Sequence, residues 1–423
     1  MPRGTVMMAS ETQGVGSSQE SHGAAAGDFG PLGSRQPPAH PSVTRPLHIA
    51  VLDYRDMEHP EAGGAEHYVN EIFQRVAARG HRVTLLCERY RGSTAEDRFG
   101  RLRVLRAGST ATVNLVGARA ALALARRERV DVFVESICKL PFLLPLFTRV
   151  PVLPVVHHLF GHTIFYQLNP LVASYAWLYE KLIPLCYRGR RFVAVSESTA
   201  ADLEQRGVRA SQMDLVRNCV DFGAYQLNGA AAQAREPLVV YLGRLKRYKQ
   251  IDIVLRAFAT VRRNVPNARL VLVGKGDDEA RLRRLVATLG LSDAVSFAGF
   301  VSEHEKIGWL HRASALVYPS PKEGWGLSAI EAAACGTPVL ASDSEGLRDA
   351  VRHGVTGFLI PHADVEGWAG RMEEILIEPT LREQLGAAAR DWARCFDWDK
   401  EADKMAAILE EVAATGSAQT GGQ

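Results

Sequence analysis

The sequence predicts an α/β protein with two doubly wound Rossmann-like domains that face each other across a cleft. Three observations indicate this fold class. Short apolar runs of strand type alternate with helical segments along most of the chain. The alternation starts twice, first at Leu47 and again at Leu238. The 423 residues are enough for two such domains with complete apolar cores.

The first domain is predicted for residues 47–220. It follows an extension, residues 1–46, that is rich in Gly, Ser, Ala, Pro and Gln and is expected to be disordered. The strand LHIAVLDY, a loop with the motif AGGAE, a helix that ends at Gly80 and the strand RVTLLC form a first βαβ unit. Further strands are expected in RLRVLRAG, VDVFVES, VPVLPVV and RFVAVS, with helices at about 113–129 and 175–187.

A linker without apolar periodicity, residues 221–235, precedes the second domain, which is predicted for residues 236–390. Strands are expected there in LVVYLGRL, RLVLVGKG, VSFAGF, ALVYPS and VLAS, separated by helical segments. Residues 391–413 are predicted to form a terminal helix. Residues 414–423, with the sequence ATGSAQTGGQ, are expected to be a disordered tail.

The composition excludes several classes of protein. A net charge of +3 is too small over this length for a nucleic-acid-binding protein. Six scattered cysteines without a C-x-x-C pair indicate neither a disulfide framework nor a zinc site, so free thiols in the cytoplasm are expected. The most apolar stretch, Leu140–Val156, contains four prolines and an arginine, which argues against a membrane-spanning helix.

The stretch EGWGLSAIE indicates a ligand-binding loop. Glu323 lies where a strand ends at the carboxyl edge of the second sheet, and Glu331 lies just over one turn into the predicted helix Leu327–Cys335. Gly324 and Gly326 leave backbone N–H groups accessible between the two acids, and a helix amino terminus favours phosphate. The pattern suggests a ligand with hydroxyls at both ends and phosphate in the middle. A nucleotide sugar fits this description.

Seven motifs in order resemble the family-four glycosyltransferases of the two-Rossmann-domain type called GT-B, in particular the group 1 enzymes such as glycogen synthases and mannosyltransferases. They are AGGAE, VVHH, VSES, RNCVD, GR with a lysine five residues later, LVLVGKG, and an E-x7-E box followed by GTPVLAS. The resemblance extends from Leu47 to about Glu411. It implies that the terminal helix crosses back to pack on the first domain.

The resemblance also implies roles for residues on both sides of the cleft. Arg244 and Lys249 would neutralise the donor diphosphate, Glu323 would contact the transferred sugar, and Glu331 would hold the ribose hydroxyls. His157 would lie beside the sugar from the first domain, with His158 as the rival for that role. The implied catalytic residues are therefore His157, Glu323, Arg244 and Lys249. The implied donor-binding residues are Gly63, Gly64, Gly243, Arg244, Lys249, Gly274, Val301, Glu323, Gly324, Trp325, Gly326, Leu327 and Glu331.

The implied reaction is transfer of a hexose-type sugar from a UDP-, GDP- or ADP-sugar to an acceptor hydroxyl with retention of configuration. Protein cations would replace a metal ion, so neither a metal nor another cofactor is expected. The acceptor stays open among carbohydrate, lipid-linked and small-molecule classes. The alternative is a non-catalytic nucleotide-sugar-binding protein, which would be expected to lose Glu323, Arg244 or Lys249. An NAD-dependent oxidoreductase would need a G-x-G-x-x-G motif after the first strand, where the sequence has AGGAE.

Two positions and one short segment depart from the family pattern. Cys219 and Gln250 stand where glycine is usual. After the E-x7-E box, residues 344–349 contain a single glycine and a shorter acid, Asp349, where the family often has two glycines and a glutamate. These departures put the local backbone and one sugar contact in doubt.

The aromatic and apolar segment at residues 164–191 ends in a basic cluster and has two interpretations. A buried domain helix with a cationic cap is favoured, because a helix in this position must cover the core. The alternative is a surface that rests on anionic lipid or receives a lipid-linked acceptor, which would give a cytoplasmic enzyme peripheral contact with the membrane.

Overall fold

A computed structural model describes residues 45–138, 140–166, 169–226 and 235–420, with the side chains of residues 162, 163, 166 and 416–420 excepted. Most of the predicted N-terminal extension, the middle of the linker and the last three residues of the predicted tail lie outside these ranges. Within them the chain forms two α/β domains, which confirms the predicted fold class.

The first domain is built on a sheet whose described strands occur in the order β3-β4-β2-β1-β5-β6-β7-β8. The strands are β1 (His48–Leu52), β2 (Arg82–Cys87), β3 (Glu96–Phe99), β4 (Leu102–Arg106), β5 (Val132–Ile137), β6 (Val152–Val156), β7 (Phe192–Ala194) and β8 (Met213–Leu215). All neighbours are parallel except β3 and β4, which form a hairpin at the edge. The strand β3 was not predicted, because its residues EDRF are polar and largely exposed. The strand β8 was not predicted either; it has only three residues.

The helices of the first domain are α1 (Gly64–Ala78), α2 (Val113–Arg127), α3 (Pro170–Glu180), α4 (Ile183–Cys186) and α5 (Glu197–Gln205). A single helix was predicted at residues 175–187, whereas the structure has two helices, the first of which starts earlier, at Pro170. Asn169 caps α3 by accepting a hydrogen bond from the Val172 N–H. Pro184 explains the break, because it lacks an N–H group and its ring would clash with the preceding turn.

The second domain has a fully parallel sheet in the order β11-β10-β9-β12-β13-β14. Its strands are β9 (Leu238–Leu242), β10 (Arg269–Val273), β11 (Val295–Gly299), β12 (Ala315–Tyr318), β13 (Val339–Ser342) and β14 (Gly357–Ile360). Counted along the chain, this is the order 3-2-1-4-5-6 of a doubly wound sheet. From β9 the chain adds strands towards one edge of the sheet, and from β12 it adds them towards the other edge. A crevice forms at the carboxyl ends of β9 and β12, where the strand order reverses.

The helices of the second domain are α6 (Ile251–Asn264), α7 (Glu279–Thr288), α8 (Glu303–Arg312), α9 (Leu327–Ala334), α10 (Leu347–Ala350), α11 (Val365–Ile377) and α12 (Pro379–Ala393). The terminal helix α13 (Trp398–Thr420) follows after a short break. None of the helices in the described ranges is long and apolar enough to span a membrane.

The end of the chain differs from the prediction in two ways. The helix expected at 391–413 is divided, because the Asp397 side chain accepts the N–H groups of Asp399 and Lys400 and starts a new helix. The helix α13 continues to Thr420 and therefore includes residues 414–420, for which a disordered tail was expected. Alanines at 413, 414 and 418 favour this extension.

The two domains share an apolar core. One cluster of buried side chains joins residues of α1 and the first sheet with residues of the second sheet, α9 and α13. The helix α13 lies against α1, and the rings of Tyr68 and Trp398 meet with their centroids 6.1 Å apart. A second cluster fills the other face of the second sheet, and a third fills the other face of the first sheet.

Candidate active site

The loops that follow β9 and β12 bring a cation and an acid together at the crevice of the second domain. The ammonium group of Lys249 donates a hydrogen bond to the carboxylate of Glu323, and both side chains are largely buried. Lys249 ends a short 3₁₀ turn after β9, and Glu323 lies five residues beyond the end of β12. The pair therefore stands where the strand order of the sheet reverses.

The backbone of the turn is strained at Gln250, the residue after Lys249. It has left-handed backbone angles, φ 52° and ψ 41°, and it forms the N-cap of α6. A residue with a Cβ atom in this region costs roughly 1–2 kcal/mol relative to glycine. The chain accepts this strain at the residue next to Lys249. Cys219, the other departure from glycine, has no positive φ and is buried in the shared core.

Arg244 lies near the pair but is exposed. Its guanidinium donates to the Tyr248 hydroxyl over 3.4 Å, and no ion pair involving it occurs among the described residues. The backbone carbonyl of Arg244 accepts a hydrogen bond from the hydroxyl of Tyr241, which is fully buried. The base of the loop is thus fixed, and the charged end of Arg244 is accessible at the crevice.

The predicted glycines and Val301 lie at the start of α1 or in loops that follow strands of the second sheet. Gly63 and Gly64 form the start of α1 in the first domain. Gly243 and Gly274 follow β9 and β10, and Val301 follows β11. A Cβ atom on Gly274 would lie 2.0 Å from the Gly243 carbonyl oxygen, so the two loops pack with their backbones in contact.

Trp325 is placed differently from the expectation that it lines the sugar position. Its side chain is buried in the shared core, where its ring meets that of Phe396 edge to face at 5.1 Å between centroids. Gly326 caps α9 with a φ of 107°, and Leu327 is the first residue of that helix. At these three positions, the backbone at the start of α9 is what can meet a ligand.

Glu331 lies just over one turn into α9 and belongs to a small polar network. Its Oε1 atom accepts a hydrogen bond from Lys306 Nζ at 2.7 Å and lies 2.8 Å from the Tyr225 hydroxyl. Lys306 also pairs with Glu303 at 2.7 Å. Burial lowers the pKa of Lys306, but Glu331 and Glu303 outweigh this effect, and the pKa is raised. Lys306 therefore carries its charge next to Glu331.

Tyr225 and Lys306 were not among the predicted site residues. Tyr225 belongs to the predicted linker, which has no apolar periodicity, and Lys306 is one of several charged residues on α8. No local signal distinguishes them, because their relation to Glu331 spans 106 and 25 positions of the chain.

The two histidines that follow β6 have different surroundings. His157 is 4% exposed, its Nε2 lies 3.0 Å from the Ser136 hydroxyl, and its ring packs against Tyr68. Burial lowers the pKa of His157 to about 3, with a smaller effect from His158. His157 is therefore a neutral side chain inside the first domain.

His158 lies next to the second domain, since a Cβ atom on Gly324 would be 3.2 Å from the His158 Cβ. Burial also lowers its pKa, to about 4, and the charges that act on it are Glu323, which raises the pKa, and then Lys322, Lys249 and Arg244, which lower it. All four belong to the second domain. The geometry therefore favours His158, the rival left open by the sequence, over His157 as the residue that lies at the cleft.

Family comparisons agree with this architecture. A model described as Glycosyltransferase Family 4 matches residues 62–223, and a model described as Glycosyl transferases group 1 matches residues 228–392. The two matches are adjacent and cover most of both domains. The chain belongs to the group 1 glycosyltransferases of family 4.

Relatives with known activities extend the comparison. The glycosyltransferase is 29% identical over 375 residues to the GDP-mannose-dependent alpha-(1-6)-phosphatidylinositol monomannoside mannosyltransferase of Mycobacterium tuberculosis, covering 83% of this chain and 95% of the relative. It is 36% identical over 191 residues to the D-inositol 3-phosphate glycosyltransferase of Jonesia denitrificans, covering 44% of this chain and 45% of that protein.

Solved structures share the fold. Sucrose-phosphate synthase from Thermosynechococcus elongatus superposes with a TM-score of 0.74 and 24% identity, covering 87% of this chain and 100% of that structure. Anabaena Alr3699/HepE in complex with UDP and glucose superposes with a TM-score of 0.69 and 21% identity, covering 86% and 100%. At these identities the likeness concerns the fold.

The two domains of the glycosyltransferase touch across the cleft. Lys322 pairs with Asp202 of α5 at 3.3 Å and with Glu345 at 2.7 Å. The carboxylate of Asp349 accepts the N–H of Ser198, at the start of α5, at 2.9 Å. Burial raises the pKa of Asp349, and the hydrogen bonds from Ser198 oppose this effect. Asp349 is the shorter acid in segment 344–349, which departs from the family pattern. Its carboxylate thus caps α5, a helix of the first domain.

Gly324 makes the tightest of these contacts. A Cβ atom on it would lie 2.5 Å from the His157 carbonyl oxygen and 3.2 Å from the His158 Cβ. Gly346 is also required, because it has a φ of 77° and a Cβ atom there would lie 2.3 Å from the Glu323 carbonyl oxygen. Absence of a side chain at Gly324 lets the two domains meet beside Glu323.

We expect Gly324→Ala to lower kcat/KM by at least about ten-fold with little change in Tm, because the methyl group must push His157 and Glu323 apart and small misplacements are costly in an active site. The measurement is steady-state kinetics together with a thermal unfolding curve. Gly370→Ala is the matched control, since a Cβ atom at that glycine meets nothing within 4 Å. Unchanged kinetics for Gly324→Ala would contradict the role assigned to this contact.

Proposed function

We propose that the protein transfers a hexose from a nucleotide sugar to an acceptor hydroxyl with retention of configuration and without a metal ion. The observation that carries the proposal is the buried pair of Lys249 and Glu323 at the crevice of the second sheet, with Arg244 exposed beside it. Membership of the glycosyltransferase family supports the reaction class.

Lys249 and Arg244 would stabilise the charge of the leaving diphosphate. Negative charge grows on the phosphate as the sugar departs, and fixed cations in a partly buried site stabilise that charge without reorganisation. Lys249 is held by Glu323, and the loop of Arg244 is held by Tyr241. The first N–H groups of α9 have no partner within the helix and would add donors for phosphate oxygens.

Glu323 would contact the hydroxyls of the transferred sugar. Its carboxylate is engaged by Lys249, which makes it a hydrogen-bond acceptor of fixed orientation and a poor nucleophile. This supports a reaction without a covalent enzyme intermediate, in which the acceptor attacks the face from which the phosphate leaves. That route gives retention through an oxocarbenium-like state.

Glu331 would bind the ribose hydroxyls. Lys306 and Tyr225 orient its carboxylate, and both lie within hydrogen-bonding distance of the same oxygen. We propose Tyr225 and Lys306 as positioning residues for the nucleotide. His158 would contact the sugar from the first domain, as a neutral ring at physiological pH.

For the substrates, we propose GDP-mannose as the donor to test first and a lipid-linked acceptor. The support is the name of the mannosyltransferase relative, which covers most of this chain. UDP- and ADP-sugars are the competing donors. We also propose a cytoplasmic location with peripheral contact at the inner membrane face; six free cysteines are compatible with a reducing compartment.

The test is transfer by the purified full-length chain with GDP-, UDP- and ADP-sugars, with and without EDTA, and with the anomeric configuration of the product determined by NMR. The proposal expects turnover with one donor class, an unchanged rate in EDTA and the same configuration in donor and product. Inversion of configuration would contradict the retaining mechanism. Loss of turnover in EDTA would contradict metal independence. Donor binding by calorimetry without transfer or hydrolysis would favour the non-catalytic binding protein.

We expect Lys249→Gln to lower kcat by about a hundred-fold or more, because it removes a cation from the leaving group. Lys246→Gln is the matched control: Lys246 lies three residues earlier in the same loop but pairs with the exposed Asp277. The measurement is kcat at saturating donor, with circular dichroism to check folding. Equal effects of the two substitutions would refute the assignment.

We expect His158→Ala to lower kcat/KM by about ten-fold, the value of one lost hydrogen bond to the sugar, with an unchanged Tm. His157→Ala is expected to act mainly on stability, by about 2 kcal/mol, because it removes a buried ring that packs on Tyr68 and bonds to Ser136. Kinetics and thermal unfolding of both variants separate the two roles. Low activity with an unchanged Tm in His157→Ala alone would restore the original assignment.

A further inference from the structure

The helix α3 is packed with its small side chains inward and its large apolar side chains outward. Ala173 and Ala176 are buried against the domain together with Ile164. The outward positions carry the following large apolar residues, with their exposed fractions: Leu171 85%, Val172 46%, Tyr175 58% and Leu178 59%. A helix that merely covers a core has the opposite arrangement. The buried domain helix favoured by the sequence therefore does not describe α3.

The apolar surface continues beyond α3. Leu185 on α4 is 68% exposed. The short 3₁₀ turn Leu144–Leu146, with the exposed side chains of Leu146 and of Phe147 that follows it, starts next to the end of α4, where the N–H of Leu143 donates to the hydroxyl of Tyr187. Exposed apolar groups of this number in one region mark an interaction surface. We call the outward side chains of α3, together with Leu185, Leu146 and Phe147, the α3 surface.

Three exposed basic residues follow the apolar segments of the α3 surface in the chain. Lys181, Arg188 and Arg149 are exposed and have no ion pair among the described residues. The acid of α3, Glu180, is 1% exposed, and its carboxylate accepts the N–H groups of Phe160 and Gly161. An apolar face with a basic rim is the pattern of a segment that lies in the interface of an anionic bilayer.

We propose that the α3 surface docks on an anionic lipid bilayer. The apolar side chains would enter the region between head groups and acyl chains, Tyr175 would lie at the polar boundary, and the lysine and arginines would meet lipid phosphates. A second copy of the chain fits less well, because a two-fold contact through this surface would bring Lys181, Arg188 and Arg149 of both copies into one interface.

The position of α3 connects this surface with the cleft. The 3₁₀ turn Gly161–Tyr166 follows His158 in the sequence and packs against α3, and Leu171 at the start of α3 is the most exposed of the apolar side chains. Docking would therefore bring the acceptor side of the cleft near the membrane. This step rests on the proposed function, since it gives a lipid-linked acceptor a short path to His158 and Glu323. The lipid-binding test does not depend on it.

The experiment is co-sedimentation of the full chain with vesicles of phosphatidylcholine alone and of phosphatidylcholine mixed with phosphatidylglycerol. Preferential binding to the anionic vesicles, weakened by salt, is expected. The double variant Leu171→Ser and Leu178→Ser should bind more than about ten-fold more weakly, because two exposed apolar side chains no longer enter the bilayer. Its control is Val355→Ser with Ile377→Ser, two exposed apolar side chains of the second domain.

Charge is tested separately. The double variant Lys181→Glu and Arg188→Glu should lose at least about five-fold in binding per residue, the effect of one basic side chain at an anionic surface. Arg256→Glu with Arg284→Glu is the control, since both arginines are exposed on helices of the second domain. Transfer to a water-soluble acceptor should be unchanged in both α3-surface variants, which separates docking from catalysis.

Three results would overturn the proposal. The first is absence of binding to anionic vesicles, and the second is an equal loss in the control variants. The third is a wild-type dimer in analytical ultracentrifugation that becomes monomeric on Leu171→Ser and Leu178→Ser, since the α3 surface would then be an interface between copies. None of these results bears on donor use, retention or metal independence, which are measured with soluble substrates.

Discussion

The ion pair of Lys249 and Glu323 is the interaction on which the site depends. Burying two charges is costly, so such a pair is weak evidence for stability and is better explained by what it does. Here each partner fixes the orientation of the other at the point where the strand order reverses. The strained turn at Gln250 and the backbone contact of Gly243 with Gly274 both serve to bring Lys249 to that point.

Contacts between the domains surround this pair. The shared apolar core and α13 join the domains on one side, whereas Lys322, Asp349 and Gly324 join them across the cleft. The cleft contacts are polar or involve a glycine, and each depends on a short distance. The arrangement combines an apolar connection on one side with polar contacts across the cleft on the other.

The two neighbouring histidines differ in the groups that surround them. His157 and His158 are adjacent in the chain and burial lowers the pKa of both, yet His157 contacts Ser136 and Tyr68 inside a domain, whereas the pKa of His158 also responds to charges of the opposite domain. The same reasoning applies to α3. Its alternating small and large apolar residues are compatible with a buried or an exposed face, and only the packing of Ala173 and Ala176 shows which face is inside.

The sequence by itself determined the two-domain α/β fold, most of the strands, and the candidates Lys249, Arg244, Glu323 and Glu331, because strand and helix periods and loop motifs are local properties. It missed the edge strands β3, β8 and β14, the division of α3 from α4 and the extent of α13, which depend on edge pairing and on individual caps. Only the tertiary structure decided that Trp325 belongs to the core, that Tyr225 and Lys306 hold Glu331, and that His158 meets the second domain. These facts are contacts between residues far apart in the chain, and no pattern within one segment encodes them.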